Sequence, residues 1–340
     1  MYPMIKTIKF RIKDKNTAIE LDLMARDVNF VWNVLNSASR KKWKESRKYF
    51  HKFDPFFTSI TKGSSEYLKI NSQAVQAITE QFHKDIKQFK KQLRFRGIKT
   101  PRWIPFKGQT VKLLGDSVKY NGAKFRIWKS ANVTGKIKTG CFTRDTLGRW
   151  FVSFTYEEKI LQFPQGIGKV GVDLGLKDTA VCSNGKVLNI KDLDNLDKKI
   201  AKMQRAKNFN RAKVLHKKKE NIRKDRFNKF ALDLVKTNSL IAIGNITGFK
   251  KGNLAKSRYQ NAWTLLKNKI EFKCLEYGVD FLEVSENFTT QTCSVCGSIE
   301  GPRGIEGLGV RDWICSCTAR LNRDVNAAIN ILSRAKCLAS

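Results

Sequence analysis

Apolar and polar residues alternate near the start of the chain. Ile5-Lys-Thr-Ile-Lys-Phe-Arg-Ile12 predicts a half-exposed strand with Lys and Arg on its open face. Residues 17–48 read as helix, and residues 72–95 read more clearly so. There Val75, Ile78, Phe82, Ile86, Phe89 and Leu93 recur at three- and four-residue steps, and Ser72 is the expected cap. The opposite face of that helix carries Gln73, Gln76, Lys84, Lys87, Lys90 and Lys91, so its basic half fits a surface turned to phosphates. From about 100 to 160 the period shortens. Thr110-Val-Lys-Leu-Leu, Val118-Lys-Tyr, Lys124-Phe-Arg-Ile-Trp and Trp150-Phe-Val-Ser-Phe-Thr-Tyr are short β runs split by Asn-Gly, Gly-Asp and Leu-Gly turns. The first strand is expected to join them in one barrel, with the helices of 17–95 inserted.

Gln162-Phe-Pro-Gln-Gly-Ile-Gly168 reads as a linker into a second region. Val170–Leu174 is a buried strand, and Ala180-Val-Cys and Val187-Leu-Asn-Ile form a hairpin about Asn184-Gly185. A long Lys/Arg-laden helical stretch is expected over 192–237 and a strand at Leu240-Ile-Ala-Ile. A helix at about 255–276, a strand over 279–286 and a last helix over 324–334, capped by Asn322, complete the pattern. Three strands, helix, strand, helix, strand, helix is the element order of a ribonuclease-H-like domain. The fold class expected is α+β and multidomain.

Charge changes the picture. The 340 residues carry 66 Lys+Arg against 30 Asp+Glu, a formal charge of +36. Self-repulsion of that size opposes compaction, whereas a polyanion offsets it by counterion release, so a nucleic-acid partner is expected. An apolar fraction of 41% with 22 Phe argues against disorder. No run of 18 apolar residues is present, so no membrane span and no membrane partner are expected. Eight Cys are too sparse for a disulfide scaffold and fit a reducing, cytoplasmic setting (prokaryotic and nucleoid-associated).

Four of those cysteines have metal-ligand spacing. Cys293-x2-Cys296 and Cys315-x-Cys317 are separated by 18 residues and suit a structural, tetrahedral Zn²⁺. The one-residue spacing of the second pair tightens the chelate, and Arg311 and Trp313 beside it are candidates to touch nucleic acid. Carboxylates supply the other candidate centre. Phosphodiester hydrolysis by two Mg²⁺ needs several acids converging within a few ångströms. Asp173 stands at the end of the strand Val170–Leu174, and Asp324 stands in the first turn of the last helix. The strand at Ile241-Ala-Ile-Gly244 ends without an acid. In the next strand Leu282, Val284 and Glu286 share one face and Glu283 the other, so Glu286 is the candidate for the third ligand.

These residues resemble the TnpB family, transposon-encoded RNA-guided nucleases related to type V CRISPR effectors. The matching text is Gly171-Val-Asp-Leu-Gly-Leu-Lys-Asp178, Thr289-Thr-Gln-Thr-Cys-Ser-Val-Cys-Gly297 and Asn322-Arg-Asp-Val-Asn-Ala-Ala328. Weaker matches are Asn221-Ile-Arg-Lys-Asp-Arg-Phe227 and Asn71-Ser-Gln-Ala-Val-Gln76. The resemblance implies a wedge β-barrel over 1–15 and 97–162 with a helical recognition insertion over 16–96. It further implies a RuvC-like nuclease domain over 167–288 and 321–340, interrupted by a zinc-ribbon module over 289–320. Guide RNA and target double-stranded DNA are the implied partners, with pairing reading sequence and basic residues holding backbone. Asp173 and Asp324 match the family's first and third catalytic aspartates, and its glutamate position falls on Gly244. Two functions follow from that break. One is a Mg²⁺-dependent RNA-guided DNA endonuclease with Glu286 as the relocated acid, and the other a nuclease-inactive, RNA-guided DNA-binding repressor. A transposase working without RNA is a third reading. Arg205, Arg211 and Arg223, in the basic stretch, are expected on the heteroduplex or RNA scaffold, and Ser72, Gln73 and Gln76 on the adjacent DNA motif.

Overall fold

The computed structural model describes residues 4–14, 17–50, 55–56, 59–60, 67–89, 92–97, 100, 102–158, 166–245, 262–303 and 306–339. The chain divides into two compact units, Met1–Lys159 and Ile160–Ser340. Both are α+β.

The first unit contains β1 (Met4–Ile12), α1 (Thr17–Ser46), α2 (Ser72–Phe89), β2 (Trp103–Lys107), β3 (Val111–Leu114), β4 (Ser117–Tyr120), β5 (Ala123–Trp128), β6 (Ile137–Arg144) and β7 (Trp150–Glu158). Its strands form one sheet in the order β2-β6-β7-β1-β5-β4-β3. β2 and β3 are joined by a single 3₁₀ turn at Gly108–Thr110, yet they stand at opposite ends of that order. The sheet is therefore curled nearly closed. Phe10, Phe106, Phe125, Phe142 and Phe154 fill the interior, with Phe106 and Phe142 ring centroids 5.4 Å apart. The same core continues into Leu21, Val28 and Leu35 of α1 and Val75, Ile78 and Phe82 of α2, so barrel and helices bury one another's apolar faces.

Three local expectations shift. Ile8, Phe10 and Ile12 point into the core, but the alternation then places Ile5 outside, 64% exposed, and Lys6 inside, where it pairs with Glu158. Asn71, not Ser72, caps α2: its Oδ1 accepts the Ala74 N–H at 2.8 Å, and Ser72 lies within the first turn. The described helix runs to Phe89, and Leu93 is buried from a segment without regular structure instead. That segment is pinned along α1, whose Asn36 and Asn33 donate to the Leu93 and Arg96 carbonyls at 3.0 and 2.8 Å.

The second unit contains β8 (Gly168–Asp173), β9 (Ala180–Cys182), β10 (Val187–Leu188), α3 (Asp194–Arg205), α4 (Phe209–Thr237), β11 (Asn238–Asn245), α5 (Trp263–Tyr277), β12 (Asp280–Ser285), β13 (Asp312–Ile314), β14 (Arg320–Asn322) and α6 (Arg323–Ala339). Five strands form a mixed sheet in the order β10-β9-β8-β11-β12, antiparallel from β10 to β8 and parallel from β8 to β12. One face, with Val170, Val172, Ile241 and Ile243, packs on Phe227, Ala231 and Leu234 of α4 and Leu266 and Ile270 of α5. The other face carries Ala242 and Val284 and packs on Ile331 and Ala335 of α6. Gly171 sets how near α6 comes: a Cβ there would lie 2.0 Å from the Ala328 carbonyl oxygen.

The basic stretch is not one helix. It breaks at Lys207, whose φ is +54°, and restarts at Asn208, whose side chain accepts the Arg211 N–H at 3.1 Å. α3 then folds back on α4 through buried Ile200 and an Asp197–Lys219 ion pair. The helix expected from about 255 begins at Trp263; residues 246–261, and 162–165 of the expected linker, lie outside the described residues. Among the described residues no helix is long and apolar enough to cross a membrane.

Candidate active site and metal centre

The phase of three parallel strands brings the acids together. Val170 and Val172 face the α4–α5 core, so Gly171 and Asp173 face α6. Ile241 and Ile243 face the same core, so Ala242 and Gly244 face α6. Leu282 and Val284 pack toward α6, and Glu286 follows in phase one residue past β12. Glu283, out of phase, turns away to pair with Lys267 of α5 at 2.6 Å. Asp173 thus ends β8, Glu286 follows β12, and Asp324 is the second residue of α6. All lie at the carboxyl ends of parallel strands, the edge at which open α/β sheets bind ligands.

Gly244 explains how Glu286 fits. A Cβ at 244 would lie 2.2 Å from Glu286 Oε1 and 2.4 Å from its Cγ. The Glu286 side chain fills the volume that any side chain at 244 would need. Its Oε1 is buried and accepts no hydrogen bond. Burial pushes the Glu286 carboxyl up to about 8, with the charge of Asp173 adding to it. Asp173, 8% exposed, is pushed up to about 7 by burial first and by Asp324 second. A buried and a half-buried acid that resist ionisation, the second with an orphaned buried oxygen, fit a site built for a hard cation.

Asp324 differs in having a partner. Arg311 donates through Nη1 to both of its oxygens, at 2.7 and 2.5 Å. The β13–β14 hairpin makes this possible. Asp312 pairs with Asn322, which places Arg311 beside Arg323, whose N–H bonds the Arg311 carbonyl at 2.6 Å. Arg311, a candidate for touching nucleic acid, is turned onto Asp324. Asn322 Oδ1 accepts the Asp324 and Val325 N–H groups, both at 3.2 Å, and so caps α6 as expected. The three carboxylates do not close to ligand distance of one another; among the described residues only the cysteines make such a group.

Those four sulfurs lie within 4.8 Å of one another, with Cys293–Cys317 at 3.8 Å and Cys296–Cys315 at 3.6 Å. Tetrahedral zinc with Zn–S near 2.3 Å requires sulfurs about 3.8 Å apart, so the donor set fits. The short Cys315-Ser-Cys317 loop closes because Thr318 takes φ +66° and Cys315 N–H bonds the Ala319 carbonyl at 3.0 Å. Glu300 ties the two loops together through the Ser316 N–H and hydroxyl, at 3.1 and 2.8 Å. Trp313 stands opposite Leu321 in the hairpin, half-buried.

The remaining candidates lie on helices. Ser72, Gln76, Lys84 and Lys87 are exposed on α2, and Gln73 is half-buried with Oε1 unpartnered. Lys107 Nζ donates to Gln76 Oε1 at 3.2 Å. Arg205 and Arg211 are exposed on either side of the α3–α4 break, whereas Arg223 is half-buried. Several neighbouring cations are already paired, Lys219 with Asp197 and Arg226 with Asp192, which the charge count alone did not reveal.

Asn326 and Asn330 escaped the sequence reading. Asn326, 1% exposed, donates to the Thr289 and Thr292 carbonyls and accepts the Ser294 N–H at 2.8 Å. It binds the start of the cysteine module to the helix that carries Asp324. The signal was the asparagine two residues after Asp324, on a helix face that is otherwise apolar.

Residues 153–258 match the family described as "Probable transposase" (OrfB, IS605), and residues 263–331 the family described as "Cas12f1-like, TNB domain". A putative RNA-guided DNA endonuclease of Streptomyces pristinaespiralis is 35% identical over 208 residues, covering 56% of this chain and 51% of that protein. The putative RNA-guided DNA endonuclease InsQ of Escherichia coli K12 is 25% identical over 240 residues, covering 61% and 59%. The chain spans between half and three fifths of the length of these relatives. A solved Cas12f1–sgRNA–target DNA complex contains a protein that aligns over 97% of this chain and 98% of its own, with TM-score 0.63 and 14% identity, a likeness of fold alone. The resemblance to the TnpB family is borne out: the chain joins an IS605 OrfB segment to a Cas12f1-like TNB segment and is a relative of the TnpB-like and Cas12f proteins.

Proposed function

We propose that this chain is an RNA-guided DNA endonuclease that cuts target DNA beside a short adjacent motif. The observation that carries the reading is the placement of Glu286: it occupies the space above Gly244, on the face shared by Asp173 and α6. In this reading the second unit is a RuvC-like nuclease domain with an inserted zinc ribbon. The first is a wedge barrel with a helical recognition insertion. The relatives named as RNA-guided DNA endonucleases support the reaction class, and the complex with sgRNA and target DNA supports the partners.

Asp173, Glu286 and Asp324 would hold Mg²⁺, as the pair of ions that two-metal hydrolysis uses, and Cys293, Cys296, Cys315 and Cys317 would hold Zn²⁺. Bound Mg²⁺ supplies a nucleophilic water at neutral pH and charge to stabilise the leaving oxygen. The chain's own residues do the rest. Burial keeps Asp173 and Glu286 from being satisfied by water, so their charge is directed at a cation. Arg311 pairs with both oxygens of Asp324 and so occupies the carboxylate that a cation would share. Cys293 to Cys317 stiffen the hairpin that delivers Arg311. Lys84, Lys87, Arg205, Arg211 and Arg223 hold nucleic-acid backbone, and Ser72, Gln73 and Gln76 contact the adjacent motif.

The test is to sequence the RNA that copurifies with the protein and to incubate that complex with a matching plasmid. Cleavage with Mg²⁺ that EDTA abolishes is expected. Guided binding without any nick identifies a repressor, and cutting by RNA-free protein identifies a transposase of another kind.

A further inference from the structure

Phe288 is held in a conformation its side chain disfavours. Its φ is +62°, a left-handed geometry that glycine adopts freely and a bulky aromatic rarely does. The residue is 59% exposed. Among the described residues no aromatic ring or cation is stacked against it.

The turn that imposes this geometry is firmly built. Glu286 begins it, and the Thr289 N–H and hydroxyl both bond the Glu286 carbonyl, at 3.2 and 2.9 Å. The Gln291 and Thr292 N–H groups and the Thr292 hydroxyl converge on the Phe288 carbonyl, at 3.0, 2.9 and 2.9 Å. From α6, Asn330 donates to the Thr289 and Thr292 carbonyls at 2.8 and 2.7 Å, beside the bonds of Asn326 to the same two atoms. The turn therefore stays left-handed whatever side chain residue 288 carries. Glycine would satisfy it at lower strain, so the conformation of the turn does not account for an aromatic side chain here.

We infer that Phe288 is a stacking point for an unpaired nucleobase of the DNA strand being cut. The inference rests on the nuclease reading above and names one contact of its substrate. A base offers a flat π face to any exposed aromatic, and stacking of this kind tolerates every sequence. The ring stands two residues from Glu286, on a turn tied to the helix that bears Asp324. A base resting on it is fixed against both the acid and the metal-facing helix. The fixed turn then sets which phosphodiester reaches the carboxylates. The strain at φ +62° is the cost of aiming the ring outward rather than into the core.

The experiment compares RNA-loaded wild type with Phe288→Gly and Phe288→Trp. Targets carry 2-aminopurine at successive positions of the displaced strand near the cut. Three measurements are made: fluorescence on guided binding without Mg²⁺, single-turnover cleavage with Mg²⁺, and cut position at nucleotide resolution. Wild type and Phe288→Trp should quench the probe at one position, and Phe288→Gly should not. Phe288→Gly should also cut about five- to a hundredfold more slowly, at scattered positions, while its melting temperature rises by about 2 °C as the strain is relieved. A Phe288→Gly protein that melts lower overturns the inference, because the ring is then part of the packing. So does one that quenches and cuts as wild type does. Quenching by wild type without any cleavage refutes the nuclease reading and leaves the stacking contact standing, whereas absence of guided binding by wild type overturns both.

Discussion

Gly244 and Glu286 compete for one volume: a Cβ on the first would lie 2.2 Å from Oε1 of the second. The strand that carries Gly244 lacks an acid, and the residue just past the neighbouring strand supplies one into the space left open. Gly244→Ala should therefore act through Glu286. The clashing atoms are a flexible carboxylate, so the side chain swings aside and stability changes by less than about 1.5 kcal/mol. Cleavage should fall much more than stability, as measured by single-turnover rate beside a urea midpoint. Equal losses in both would mean that Gly244 serves packing alone.

Gly171 should behave in the opposite way. Its missing Cβ would meet the Ala328 carbonyl oxygen at 2.0 Å and the Leu332 N–H nitrogen at 2.9 Å, both backbone atoms of α6. Neither yields without moving the helix. Gly171→Ala is expected to cost about 1–3 kcal/mol of stability and to displace Asp324 with α6. A urea midpoint within error of wild type would show that α6 is not held this closely.

The buried acids predict a pH dependence of the metal-free protein. Asp173 is raised to about 7 and Glu286 to about 8, against unfolded values near 4. The folded state then binds more protons than the unfolded state between those limits, so stability is full below about pH 4 and is lost as pH rises through 7 to 8. The loss should be on the order of a few kcal/mol. In EDTA, Glu286→Gln should remove part of this slope and melt higher than wild type at pH 8, and Mg²⁺ should restore the wild type. A flat profile in EDTA would show that both carboxyls are solvated.

Much of this site was legible from the chain, and for identifiable reasons. Asp173 and Asp324 stand at a strand end and in a helix's first turn, positions that local pattern reveals. Glu286 could be placed because alternation with Leu282 and Val284 puts it on the α6 face, apart from Glu283. The Cys293–Cys317 cluster followed from spacing. What stayed hidden depends on tertiary register. Arg311 meets Asp324 only because Asp312 pairs with Asn322. The break at Lys207 escaped notice because neither Gly nor Pro marks it, and Asn208 caps a helix within an unbroken basic run. Ser72 looked like a cap, but the side chain one residue earlier reaches Ala74. The strain at Phe288 has no signature in composition at all.

Arg311 and a cation draw on the same carboxylate. Both Asp324 oxygens accept from the guanidinium, at 2.7 and 2.5 Å. Arg311→Ala should bind Mg²⁺ several-fold more tightly in the RNA-free protein, read by calorimetric titration, because the ion no longer displaces a charge-assisted pair. Weaker binding in the variant would show that the pair orients Asp324 rather than occupying it.

The cysteine module predicts its own metal content. One zinc per chain is expected by elemental analysis, and Cys317→Ser should lower it and loosen the hairpin that carries Arg311. Full zinc retention by that variant would exclude Cys317 as a ligand.

The most direct measurement of the central claim is Mg²⁺-dependent, single-turnover cleavage by the RNA-loaded complex, wild type against Glu286→Gln, with guided DNA binding followed in parallel. Loss of more than about a hundredfold in rate, at unchanged binding, is the predicted result. Cleavage by Glu286→Gln at the wild-type rate would contradict it, and would remove this glutamate from the metal site.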